Sequence, residues 1–189
     1  TASIARHFFV NGFKLLYPQI YWGGSGPGYV ETEFQLYTFI TSILYLFFGE
    51  QYWLGRLVSL GFSVLAWFFF YKLALHVLGE ARQATWALFF LVFSPLYLRY
   101  SVAYMPEATV MFFYIAALYF FVIWLSSSSR RHLFLASAST ALAILVKPTS
   151  IHIGLLFALL ALGASITTRI QMPLLWPAAR RLEVATRAS

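Results

Sequence analysis

From Leu57 to Leu78 the chain runs through about 22 mainly apolar residues, closed by Gly79. A helix that is apolar on every side has to be hidden in a very large core or in a membrane. A chain of 189 residues cannot supply the first,. The hydrocarbon layer of a bilayer takes about 20 such residues, so this stretch is expected to cross it. Four further apolar runs follow, at about Ala84–Leu98, Ala108–Leu125, Leu133–Val146 and Ile151–Thr167. Small residues from Ala136 to Ala141 favour close helix–helix approach in the fourth. Together they predict an all-α, polytopic transmembrane helical bundle of about five spans.

Composition narrows the function classes. Hydrophobic residues make up 61% and charged residues 10%, against about 45–50% and about 25% in soluble domains. A soluble globule and a disordered chain are both excluded. The lack of cysteine excludes a disulfide scaffold, a thiolate metal site and a cysteine nucleophile,. The net charge of +7 is matched to anionic lipid headgroups rather than to nucleic acid,. No cofactor is required by any motif. His7, His76, His132 and His152 lack metal-ligand spacing. Gly23–Gly26 is a turn rather than a phosphate loop.

Ahead of the spans, residues 2–11 put Ile4, Ala5, Phe8 and Phe9 on one helical face, with Gly12 as a stop,. The run 34–48 is apolar but only about 15 residues long. Both predict juxtamembrane amphipathic helices rather than spans. Between them, residues 17–33 are rich in Gly, Pro and aromatics and predict an ordered loop. The resulting division is an extracytoplasmic region 1–55, a bundle 56–167 and a basic cytoplasmic tail 168–189. Arg82, Arg130, Arg131, Arg169, Arg180, Arg181 and Arg187 fall on one side, which marks it as cytoplasmic,. The chain begins at Thr1 with no signal peptide ahead of it and reads as an internal fragment.

The chain has no Asp, and four of its six Glu fall on the other side: Glu31, Glu33, Glu50 and Glu107. Ionisable groups near a bilayer are costly and tend to be paired or functional. Glu107, after Pro106, reads either as a helix start that suits the dipole or as an acid at a cavity rim. Arg99 and Lys147 read as interfacial anchors or as phosphate contacts. Glu31 and Glu33 read as loop solubilisers or as site acids.

In chain order stand Ala5–Arg6, Asn11–Gly12–Phe13, Tyr17–Pro18–Gln19–Ile20, Gly26–Pro27–Gly28–Tyr29–Val30–Glu31–Thr32–Glu33–Phe34, Gly55–Arg56–Leu57, Ser94–Pro95, Tyr100–Ser101, Met105–Pro106–Glu107–Ala108 and Lys147–Pro148–Thr149. Over about residues 1–165 this order resembles the bacterial C-type integral-membrane glycosyltransferases. The nearest likeness is to dolichyl-phosphate-mannose–protein mannosyltransferase-like proteins, including the lipid A aminoarabinose transferases. The resemblance implies an enzyme of the bacterial inner membrane with its active face extracytoplasmic. It would move a hexosyl or pentosyl group from a polyprenyl-phosphate carrier to a lipid, glycan or protein acceptor. It implies that Glu107 stands at the family's second acidic position, Glu31 and Glu33 in its first-loop motif, and Lys147 at its basic position. Arg99 and Tyr100 are added as donor contacts. It also implies a further helix and a leading acid, the principal base, before Thr1, so that the fragment alone is expected to be inactive. Two other classes stand beside this reading: a lipid transporter or flippase fragment, and a non-catalytic assembly subunit. The clustering of Gly and Pro in the outer loop, and the lack of an internal repeat, count against transport.

Overall fold

The computed structural model of the chain describes residues 1–12, 14–20, 28–29 and 33–165. Among them the fold is helical, with one isolated antiparallel bridge between Gln19 and Tyr29 and no strand. The helices are α1 (Ala2–Asn11), α2 (Leu36–Phe48), α3 (Tyr52–Leu78), α4 (Ala81–Val92), α5 (Pro95–Ser101), α6 (Glu107–Ser127) and α7 (Arg130–Val146). The last, α8 (Pro148–Ser165), opens with a 3-10 turn over Pro148–His152. The all-helical bundle read from the sequence is what the chain forms.

Three helices, α3, α6 and α8, are long and apolar enough to cross a membrane. At about 1.5 Å per residue they measure about 40, 31 and 27 Å. Helix α3 starts at Tyr52, ahead of the expected Leu57, and is longer than a hydrocarbon layer of about 30 Å requires,. Helix α7 covers the expected fourth span with 17 residues. The second expected span, Ala84–Leu98, is instead two helices. Pro95 excludes the helical region for the residue before it, and Ser94 is extended at φ −61°, ψ 126°. The chain therefore breaks between α4 and α5.

Helix α6 is the centre of the bundle, packed most extensively on α7 and α3. Against α3 the contact is aromatic: Phe62 meets Phe112 at 5.6 Å between ring centroids, and Phe69 meets Phe120 at 5.4 Å. Helix α6 buries Ala116 and Ala117, and α7 buries Ala136 and Ala143. Small side chains let helix backbones approach where hydrophobicity gives no drive. Phe121 of α6 stacks on Phe157 of α8 at 4.0 Å. The outward faces keep large apolar groups exposed, among them Trp86, Phe90 and Phe93 around α4.

Both juxtamembrane helices form, at the end of the bundle where α3 begins. Tyr37 of α2 donates its hydroxyl to the Gly55 carbonyl at 2.7 Å. Ala5, Tyr45 and Leu54 share a buried cluster against which Phe9, Leu44 and Tyr104 pack. Arg6 pairs with Glu50 at 3.1 Å. Of the expected ordered loop, the edges are joined: Ile20 donates its N–H to the Gly28 carbonyl at 2.9 Å. Residues 21–27 and 30–32 of that loop, and the tail from 168, lie outside the described residues.

The opposite end is marked by His76 Nε2 and Ser126 Oγ, 3.3 Å apart. Arg82, Arg130 and Arg131 stand at the turns of that end, between α3 and α4 and between α6 and α7. Ser128, at φ 52°, closes α6 there, donating its N–H to the Trp124 carbonyl.

Candidate active site

Two helix ends create the central constellation. Glu107 is the first residue of α6, with Pro106 in the cap position before it. Its carboxylate stands at the positive end of the helix dipole. Lys147 follows the last residue of α7, at the negative end of that helix. Each placement is worth about 0.3–1 kcal/mol. Pro148 holds Lys147 extended, at φ −151°, ψ 103°,, and that turns the chain from α7 into α8.

The two side chains meet. Lys147 Nζ donates to Glu107 Oε1 at 3.2 Å, with the side chains 34% and 30% exposed respectively. Glu107 Oε2 is buried and has no hydrogen-bond partner among the described residues. A buried carboxylate oxygen without a partner is uncommon in a folded chain and marks Glu107 as more than a surface charge.

The surrounding chain fixes this pair. Ser59 Oγ of α3 donates to the Ala103 carbonyl at 2.6 Å, and Ser63 Oγ reaches the Ser101 carbonyl at 3.3 Å. These bonds tie the segment before Glu107 to α3. On the other side Phe34 donates its N–H to the Leu145 carbonyl at 3.0 Å. That satisfies one of the last-turn carbonyls of α7 and pins the first loop beside Lys147.

A cavity of about 530 Å³ opens beside the pair. Its lining mixes two kinds of side chain: Tyr100 and Ser101 of α5, Tyr114 of α6 and Thr149, Ser150 and His152 of α8 offer polar groups, and Leu91, Leu96, Val110 and Met111 offer aliphatic ones. Among the described residues no three His or Glu side chains could hold a metal ion together.

Of the residues singled out from sequence, Glu107, Lys147 and Tyr100 come together in this cavity. Arg99 does not: it is exposed, outside the cavity lining, and in no ion pair among the described residues. Glu33 lines a separate space of about 350 Å³ with Pro106 and Val146, the chain neighbours of Glu107 and Lys147. Glu31 lies outside the described residues.

Sequence reasoning missed Tyr114 and His152. The signal for Tyr114 was present: Glu107, Val110, Met111 and Tyr114 follow the i, i+3, i+4, i+7 spacing of one helical face. His152 was set aside for want of metal-ligand spacing, yet the 3-10 turn after Lys147 brings it to the cavity.

Comparison with curated proteins and with solved structures returns no match. Residues 35–181 match the sequence pattern of the dolichyl-phosphate-mannose-protein mannosyltransferases. The matched stretch carries Arg99, Tyr100, Glu107 and Lys147, while the first-loop acids Glu31 and Glu33 precede it. With the membrane-crossing helices and the paired acid and base at one end of the bundle, the match settles the lineage: the chain belongs to the dolichyl-phosphate-mannose-protein mannosyltransferase family of membrane glycosyltransferases.

Proposed function

We propose that the Glu107–Lys147 cavity is where a sugar leaves a polyprenyl-phosphate carrier for an acceptor hydroxyl. The observation that carries this is the Glu107–Lys147 ion pair on a cavity whose lining holds both hydroxyl and aliphatic side chains. A polyprenyl-phosphate sugar has the same three parts: a hydroxylated ring, an anionic phosphate and an apolar tail.

The transfer balances as follows. The acceptor oxygen loses its proton to a carboxylate and bonds to the anomeric carbon. The bond from that carbon to the phosphate oxygen breaks, and its electron pair leaves with the carrier phosphate. Lys147 neutralises the charge that the phosphate gains. Glu107, which lines the cavity, accepts a hydrogen bond from the acceptor or sugar hydroxyl and orients it for attack,. The aliphatic side chains receive the first isoprene units.

The support for the face is the short turns of the bundle: Arg82, Arg130 and Arg131 stand at the turns remote from Glu107, and Lys or Arg in short turns favours the cytoplasmic side, so we infer an extracytoplasmic face for the cavity. The likeness of the sequence motifs to bacterial C-type glycosyltransferases supports a membrane of the bacterial envelope.

Replacing Lys147 by Met in the complete protein tests the donor role. Affinity for the polyprenyl-phosphate sugar should fall at least tenfold, with acceptor affinity little changed. Equal donor affinity in wild type and K147M would reject the assignment and leave Lys147 as an anchor.

A further inference from the structure

We propose that His152 is a second cationic contact for the donor's phosphate, so that the grip on the carrier depends on pH. This rests on the donor reading given above. Three observations place the ring for that task. His152 lines the same cavity as Glu107 and Lys147. Its Nδ1 lies 2.6 Å from the Thr149 carbonyl oxygen. A carbonyl can only accept, so Nδ1 carries the proton in either charge state. The ring also packs on Tyr114, 5.3 Å between centroids and tilted by 36°.

With Nδ1 committed and one face covered, Nε2 is the nitrogen left for a ligand. Neutral imidazole offers a lone pair there, which repels a phosphate oxygen. Imidazolium offers an N–H and a positive charge, which bind it. The 3-10 turn Pro148–His152 holds this group on the same short segment as Lys147. The ionisable groups that share the cavity are Glu107 and Tyr114 of α6, Tyr97 and Tyr100 of α5, and Lys147. Helix α7 packs on the same turn but has its ionisable residues, Arg130, Arg131 and His132, at its far end. A bound phosphate adds a negative charge and tips the balance toward the cation.

The test uses the complete protein and a polyprenyl methyl phosphodiester, which keeps one charge across the range studied, with the matching polyprenol as control. Affinity is measured between pH 5.5 and 8.5, where imidazole changes charge. Wild type should bind the diester at least fivefold more tightly at the low end. His152→Ala should bind weakly at all pH values, and His152→Gln, which keeps an N–H donor without titrating, should be flat and intermediate. A wild-type pH dependence retained in H152A overturns the proposal, as does a flat wild-type profile. Equal wild-type affinity for diester and polyprenol overturns the donor reading itself, a distinguishable outcome.

Discussion

The ion pair at the cavity is a poor device for stability and a good one for recognition. Its side chains are about one-third exposed, and pairs in such settings contribute about 0–1 kcal/mol. Against that stands a buried carboxylate oxygen without a partner, which costs about 1–3 kcal/mol or more,. Lys147→Met should therefore cost little in thermal unfolding while it weakens donor binding. Tyr104 makes the contrasting case. Its hydroxyl is 2.8 Å from that of Tyr45, and its ring packs edgewise on Tyr37 and Tyr52. Tyr104→Phe should lower unfolding stability by about 0.5–1.5 kcal/mol without moving donor affinity. Burial, and then the bond to Tyr45, push the Tyr104 hydroxyl well above its ordinary value of 10.0. The unfolded chain ionises this tyrosine near pH 10 and the folded chain does not. Above about pH 10 the unfolded state therefore binds fewer protons, and stability falls as pH rises. A pH series of unfolding midpoints from 8 to 11 should show that fall in wild type and a smaller one in Y104F.

Between elements, the contact that fixes the site end is the crossing of Tyr104 over Gly55. A methyl group added at Gly55 would lie 2.5 Å from the Tyr104 ring, closer than such contacts occur. Gly55→Ala should displace Tyr104 and loosen the segment 101–106 that presents Glu107. The expected cost is about 1–3 kcal/mol in unfolding, typical of overpacking, with turnover reduced in parallel. The same contact shows how far sequence reasoning reached. Apolar runs set the helices α3, α6, α7 and α8, because length and hydropathy decide whether a stretch can be hidden from water. The short helix α2 was legible for the same reason, and α1 from the helical spacing of Ile4, Ala5, Phe8 and Phe9 ahead of Gly12,. The break at Ser94–Pro95 was also written in the chain, but the apolar pattern ran through it and hid it. Glu107, Lys147 and Tyr100 could be nominated because polar groups stand out against an apolar background. Their meeting could not be derived, since it depends on the angle at which α7 hands over to α8. Nothing local separates Arg99, which stays outside the cavity, from Lys147, which enters it. His152 was invisible because its role comes from a 3-10 turn and not from spacing to another ligand.

At the scale of the whole molecule, the bundle is polarised. One end carries α1, α2, the Glu107–Lys147 pair and both cavities, and the other carries Arg82, Arg130 and Arg131. The chain has no native cysteine, so single cysteines report cleanly. Gln51→Cys and Ser128→Cys should label from opposite faces of sealed vesicles, with residue 51 outward. Labelling of both from one face would contradict the polarity. The family match makes the chain a membrane glycosyltransferase by lineage, and the proposed place of transfer is the end that holds Glu107. The most direct measurement is the turnover of the complete protein, reconstituted in lipid, with a polyprenyl-phosphate sugar and acceptor, compared between wild type and Glu107→Gln. The substitution keeps shape and removes charge. Turnover should fall by about 10²–10⁴, the range for groups acting on a proton in the transition state, with the unfolding midpoint unchanged. Near-wild-type turnover in a folded E107Q protein would contradict the account and reduce Glu107 to the start of a helix.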